Sequence, residues 1–155
     1  MGETLAVPAL EYLVAINADV GKVVSLGPGP LGERRVVDIL GGHFEGPRLR
    51  GKVLGGQDWQ IARSDGVLDI DARYTIEADS GAKVRVVSQG YRHGPPGVMA
   101  RLARGEDVDP ADYFFRTVIR FETGDAGLAW LNKTLAVATA VRKARRVEIR
   151  AWRLL

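Results

Sequence analysis

The stretch that decides the fold runs Asp58-Trp59-Gln60-Ile61-Ala62-Arg63-Ser64-Asp65-Gly66-Val67-Leu68-Asp69-Ile70-Asp71-Ala72-Arg73-Tyr74-Thr75-Ile76-Glu77-Ala78-Asp79-Ser80-Gly81-Ala82-Lys83-Val84-Arg85-Val86-Val87-Ser88. Apolar and polar side chains alternate along it, the period of a strand with one buried face. Two turn signals interrupt the alternation. Taking Asp65-Gly66 as a two-residue hairpin loop sets Ile61 against Ile70, Trp59 against Ala72 and Asp58 against Arg73. A three-residue loop at Asp79-Ser80-Gly81 sets Ile76 against Val84, Tyr74 against Val86 and Glu77 against Lys83. Facing follows from register, because successive side chains point to opposite sides. Trp59, Ile61, Leu68, Ile70, Ala72, Tyr74, Ile76, Val84, Val86 and Ser88 should point inward. Asp58, Gln60, Asp69, Asp71, Arg73, Glu77, Lys83 and Arg85 should point to water.

The same pattern extends in both directions. Strand candidates precede the meander at Leu10 to Ala18, Val23 to Leu26, Arg35 to Leu40 and Leu49 to Leu54, and follow it at Phe115 to Glu122, Trp130 to Val141 and Arg146 to Leu154. Short strands of this spacing, bounded by turns, predict an all-β antiparallel barrel of about eight to ten strands. One longer connection, Gly94 to Tyr113, breaks the rhythm. Within it Val98 to Arg104 reads as a short helix ended by Gly105, and Asp109-Pro110 as the cap and first residue of another turn. Thr117, Ile119 and Phe121 are expected inside, as are Trp130, Asn132, Thr134, Ala136 and Ala138, with Val147, Ile149 and Ala151 on the last strand.

Composition fits one globular domain over residues 1–155. Of the 155 residues, 46% are hydrophobic and 26% charged, and there are 19 glycines to serve tight turns. No apolar run approaches the roughly 18 residues that span a bilayer, and the first residues show no basic, apolar leader. With no cysteine in the chain, disulfides and thiolate chemistry are excluded, which suits a cytoplasmic protein. The net charge of +3 owes much to Arg142, Lys143, Arg145, Arg146 and Arg150. No aromatic residue interleaves the centre of that cluster, so a solvated turn is expected there rather than a nucleic-acid surface.

From Gly41-Gly42-His43-Phe44-Glu45-Gly46-Pro47 onward the chain resembles a known family. The likeness continues through Gly51-Lys52-Val53-Leu54-Gly55-Gly56-Gln57-Asp58-Trp59-Gln60, Asp71-Ala72-Arg73-Tyr74, Tyr113-Phe114-Phe115-Arg116 and Trp130-Leu131-Asn132. These segments resemble the DUF3237 family, also called UPF0311, over nearly the whole chain. That resemblance implies a lipocalin-like barrel and says little of activity, since the family is largely uncharacterised. His43, where a small or hydroxyl residue is expected, and a long basic stretch at Arg142 to Arg146 depart from the pattern.

The expected interior mixes large rings with small and polar groups. It is open between a filled core and a cavity with polar anchors. In the second case Trp59, Tyr74, Phe121, Trp130, Asn132 and Ser88 would touch a small hydrophobic or aromatic ligand. Asp58 and Arg73, opposed across two strands, are either an exposed ion pair or a general base with a cation that steadies an enolate or phenolate. Their outward facing favours the first reading, and the Asp-Trp and Arg-Tyr pairs that the family resemblance retains favour the second equally. Glu45, in a Gly-rich segment, is a further acid–base candidate. His43 and His93 are far apart with no carboxylates at ligand spacing, so no metal and no cofactor is expected.

Two functions stay open on this basis. One is a cofactor-independent isomerase, lyase or cyclase that moves a proton on a small aromatic or polyketide-like compound. The other is a non-catalytic binder, or an interaction module whose Val98 to Leu102 helix supports a homodimer. Neither nucleic acid nor membrane is expected as a partner.

Overall fold

In the computed structural model, which describes residues 2–155, eight strands close into one antiparallel barrel. They are β1 (Leu10–Gly29), β2 (Gly32–Glu45), β3 (Arg50–Ala62), β4 (Leu68–Ala78), β5 (Lys83–His93), β6 (Phe114–Glu122), β7 (Leu135–Arg142) and β8 (Arg146–Leu154). Each pairs with its neighbour in sequence, and β8 returns to β1 through Leu10↔Leu154 to Asp19↔Arg146. Leu10 to Ala18 and Val23 to Leu26 are two parts of one bulged strand, as are Leu49 to Leu54 and Trp59 to Ala62. Merging across bulges reduces the ten candidates to eight.

Alternation builds the barrel wall. Along β6 exposed and buried residues alternate without exception, with Phe115, Thr117, Ile119 and Phe121 inside. On β4 the inward set is Leu68, Ile70, Ala72, Tyr74, Ile76 and Ala78. The larger core cluster gathers Ile16, Ile76, Val84, Val86, Ile119, Ala136 and Ala151. Each buried aliphatic side chain contributes roughly 1.5–3 kcal/mol relative to exposure.

The two hairpin loops of the meander turn out to be of one kind. At 79–81 the pairs Ile76↔Val84, Tyr74↔Val86 and Glu77↔Lys83 form as expected. At 64–66 the expected register is wrong by one residue: Asp58 pairs with Ala72, Gln57 with Arg73 and Ile61 with Asp69. The cause is the turn. A two-residue Asp-Gly loop needs positive φ at both positions, yet no residue other than glycine has positive φ among the described residues. Gly66 alone is left-handed at φ 86°, and Arg63 N–H donates to Val67 O at 3.0 Å. Ser64 therefore joins the loop, giving three residues with glycine last, like Asp79-Ser80-Gly81.

Helix α1 (Pro96–Ala103) starts on Pro96 and ends in two bonds, Gly105 N–H to Leu102 O and Glu106 N–H to Arg101 O, a Schellman closure. Asp109 caps the short turn Pro110–Asp112 by accepting from Ala111 N–H at 2.9 Å. Leu102 and Val108 pack with Leu68, Ile70, Tyr113, Phe115 and Ala140 in a second core cluster. The connection between β5 and β6 thus covers one end of the barrel, and the apolar side of the Val98 to Leu102 helix is occupied by that packing.

One segment differs in kind from the expectation. Ala126–Lys133 is a 3-10 helix, not the start of a strand. Asp125 caps it by accepting from Leu128 N–H at 3.0 Å, and Leu131 is fully buried beneath it. The strand begins only at Leu135, so the inward facing of Ala136 and Ala138 holds while that of Trp130 and Asn132 does not.

Candidate functional site

Between the two core clusters lies a small cavity of about 50 Å³, mostly apolar but with several polar groups in its wall. Its walls include Val20, Val37 and Ile39, but also Asp58, Gln60, Tyr74, Ser88, Arg92, Thr117 and Arg142. The strands explain the set. The register shift turns Asp58 and Gln60 of β3 inward, and Gln60 is only 5% exposed. On β5 the inward parity of Val84, Val86 and Ser88 continues through Gly90 to Arg92. On β7 the parity of Ala136, Ala138 and Ala140 continues to Arg142.

Asp58 is the centre of this arrangement. Between the pairs Asp58↔Ala72 and Ile61↔Asp69 the regular ladder lapses, and Asp58 Oδ1 accepts Asp71 N–H at 3.1 Å. Its Oδ2 accepts from Gln60 Nε2 at 2.7 Å. Burial pushes the carboxyl above its usual range, against the lowering effect of these two bonds and of the Arg92 charge. Burial likewise pulls the Arg92 guanidinium down to about 10, helped by the neighbouring Arg142 charge, and lowers Arg142. Both remain cations at neutral pH. The Tyr74 hydroxyl is pushed up by burial and then by nearby Asp58.

Hydrogen bonding divides the wall into satisfied and free groups. Ser88 Oγ donates to Thr117 Oγ1 at 2.8 Å, and Tyr113 Oη accepts from Arg142 N–H at 3.0 Å. Tyr74 Oη and Arg92 Nε are buried with no protein partner. The site can thus hold a proton on Asp58, present two cations, and offer two unused donors.

Of the residues singled out in the sequence, the cavity brings together Asp58, Tyr74 and Ser88. Arg73 lies on the outer face, half exposed, and pairs with Asp71 at 3.2 Å; the one-residue register change separates it from Asp58. Glu45 is exposed at the end of β2. Trp59 is 39% exposed on the exterior, the opposite of its expected facing and for the same reason. Phe121 is buried in the large core cluster, away from the cavity. Trp130 lies under Arg48, whose guanidinium carbon is 3.8 Å from the ring centroid. Asn132 accepts from Thr123 N–H at 2.8 Å and donates to Thr123 O at 2.9 Å, closing the loop before the 3-10 helix. Arg92, Gln60 and Arg142 went unrecognised as site residues, although alternation carried four residues past Ser88 and two past Ala140 reaches both arginines.

Among the described residues, no group of three His, Asp or Glu side chains is placed to hold a metal ion, and no helix is long and apolar enough to cross a membrane.

The chain matches a family model described as a protein of unknown function, DUF3237, over residues 8–154. It is 42% identical over 151 residues to the UPF0311 protein RPA1785 of Rhodopseudomonas palustris, covering 96% of this chain and 99% of that protein. The crystal structure of that protein superposes with a TM-score of 0.94 at 40% identity, over 97% of this chain and 100% of the other. A beta-barrel like protein from Acinetobacter baumannii gives a TM-score of 0.86 at 39% identity, over 99% and 100%. More distantly, 86 residues are 28% identical to a hydroalkoxylation enzyme of Penicillium herquei, covering 56% of this chain and 58% of that one. With the fold and the extent of these matches in hand, the chain belongs to the DUF3237 family, as its match over residues 8–154 shows.

Proposed function

We propose that this protein binds a small, partly apolar molecule at the interior cavity and moves a proton on it without a cofactor, as an isomerase, lyase or cyclase does. The observation that carries the reading is Asp58: a carboxyl inside the barrel, shifted upward by burial, beside two guanidiniums. A general base or acid works best when its pKa approaches the working pH, and burial is the usual means of bringing a carboxyl there. Arg92 and Arg142 would steady the negative charge that proton removal leaves. The distant Penicillium relative supports the reaction class, since hydroalkoxylation adds an O–H across a double bond and so transfers a proton.

The space of about 50 Å³ equals one or two waters. It takes the reacting oxygen of a substrate rather than its whole body. The test is turnover of phenols that carry an alkenyl side chain, compared between the protein and its Asp58→Asn variant. Loss of conversion in the variant supports the reading; equal conversion removes Asp58 from the mechanism.

A second reading, an interaction surface for another copy of this chain, has its own observation. A groove of about 1050 Å³ on the outer wall is lined by Trp59, Tyr91, Phe114, Val118, Val137 and Trp152. Val118 is 51% exposed and Tyr91 48%, a larger apolar surface than lone exposed residues make. Asp69, Asp71 and Arg116 line the same groove, both signs that a two-fold contact needs. Light scattering tests it: a dimer that Val118→Asp dissociates supports this reading, and a monomer at all concentrations ends it.

A further inference from the structure

We infer that the interior cavity is an oxyanion site, shaped to hold the deprotonated oxygen of an enol, phenol or carboxylic acid against Tyr74 and Arg92. The inference rests on the reading of this cavity as the ligand site, and adds the chemical class of the ligand.

Charge is the first argument. Arg92 and Arg142 line one small cavity, and among the described residues neither makes an ion pair within 4.0 Å. The one carboxyl nearby, Asp58, directs its two oxygens to Gln60 and to Asp71 N–H instead. Two cations facing one carboxyl, Arg92 largely buried and Arg142 partly so, leave an excess of positive charge. A buried charge without a counter-charge is costly, so such a place favours an anion.

Hydrogen bonding is the second argument, and it is independent of charge. Tyr74 is 4% exposed, and its hydroxyl has no partner. Arg92 Nε has none either, and a guanidinium nitrogen only donates. Both line the same space. A ligand that fits must therefore accept. An apolar ligand would leave both donors unpaired, and a cation would meet two guanidiniums. A neutral acceptor answers the donors but not the charge. An anionic oxygen answers both, in the way that charge-assisted bonds exceed neutral ones.

The experiment uses 4-nitrophenol, whose absorbance reports its ionisation, with 4-nitroanisole as the neutral counterpart and acetate as the smallest probe. All three are titrated at constant ionic strength. The site predicts that 4-nitrophenol binds as the phenolate, with its ionisation midpoint lowered by at least one pH unit. It also predicts at least tenfold weaker binding of 4-nitroanisole, and displacement of the phenolate by acetate. Arg92→Met should weaken phenolate binding tenfold or more, and Tyr74→Phe about threefold, while 4-nitroanisole binding moves little. Tyr74→Phe keeps the ring and packing, so it remains informative if Arg92→Met fails to fold. Binding of the neutral phenol in preference, equal affinity for the anisole, or no saturable binding of either phenolate or acetate overturns the inference. Phenolate binding without turnover of any alkenyl phenol leaves the anion site standing and removes the enzyme. Turnover of a substrate that has no ionisable oxygen does the reverse.

Discussion

Asp58 stands directly opposite Ala72 across β3 and β4, and that pairing aims its carboxyl at Gln60 and Asp71 N–H inside the barrel. A carboxyl one residue further along would lie on the outer wall with Arg73. The chemistry of the interior therefore depends on the length of a surface loop more than 5 residues away along the chain, at Ser64-Asp65-Gly66.

The loop can be tested directly. Deleting Ser64 leaves Asp65-Gly66 as a two-residue loop between Arg63 and Val67, which keeps the register of β3 on β4 but forces Asp65 into positive φ. The variant should therefore keep Asp58 inside and melt cooperatively, but at a lower temperature than the parent. The gentler Gly66→Ala, at φ 86°, should cost about 1–2 kcal/mol while keeping the register; a denaturant midpoint equal to the parent's would contradict the assigned loop.

Asp58→Asn should reduce turnover by at least about a hundredfold if the carboxyl is the proton carrier. Its effect on stability has a defined sign. Asp58 is raised in the folded protein, so the folded state binds the proton more tightly than the unfolded chain. Stability from this group is greatest below its ordinary unfolded value of 3.8 and falls as pH rises from there through the raised folded value. Asparagine does not titrate. The melting temperature of the variant relative to the parent should therefore be higher at pH 7 than at pH 4, and an offset that shrinks with rising pH would refute the upward shift.

Arg73→Ala should do little. Its ion pair with Asp71 is half exposed, and such pairs contribute about 0–1 kcal/mol. Turnover and phenolate binding are expected to equal the parent's; a clear loss of either would mean that the outer face takes part.

Tyr113→Phe removes the hydroxyl that accepts Arg142 N–H at 3.0 Å. The stranded backbone donor should cost about 1–3 kcal/mol, read from chemical denaturation. Because Arg142 sits at the end of β7 beside the cavity, loosening it should also weaken phenolate binding, which a purely peripheral tyrosine would not do.

Ile119→Ala tests the central packing. Ile119 is fully buried on β6 in the large cluster, and truncation there should cost about 2–5 kcal/mol. A loss below 1 kcal/mol would show that the barrel relaxes into the space.

Much of the fold was legible because strand alternation is a local property. Val84, Val86, Ile119, Phe121, Ala136 and Ala138 were assignable inside from parity alone, and the glycine-ended loop at 79–81 set its register without help. Parity also reached Arg92 and Arg142, had it been followed to the strand ends. Trp130 and Asn132 were not assignable, because the 3-10 helix that holds them depends on the Asp125 cap and on Leu131 finding a buried place.

Sequence by itself determined that the chain alternates, turns at glycines and closes on its own neighbours, since those steps need only a few adjacent residues. The tertiary structure alone decided which of two registers joins β3 to β4. Asp65-Gly66 is compatible with both a two-residue and a three-residue loop, and the choice falls to the register that the whole closed wall can accept. Because a single step in register exchanges the two faces of a strand, that choice also decided that Asp58, and not Trp59, meets Arg92 inside the barrel.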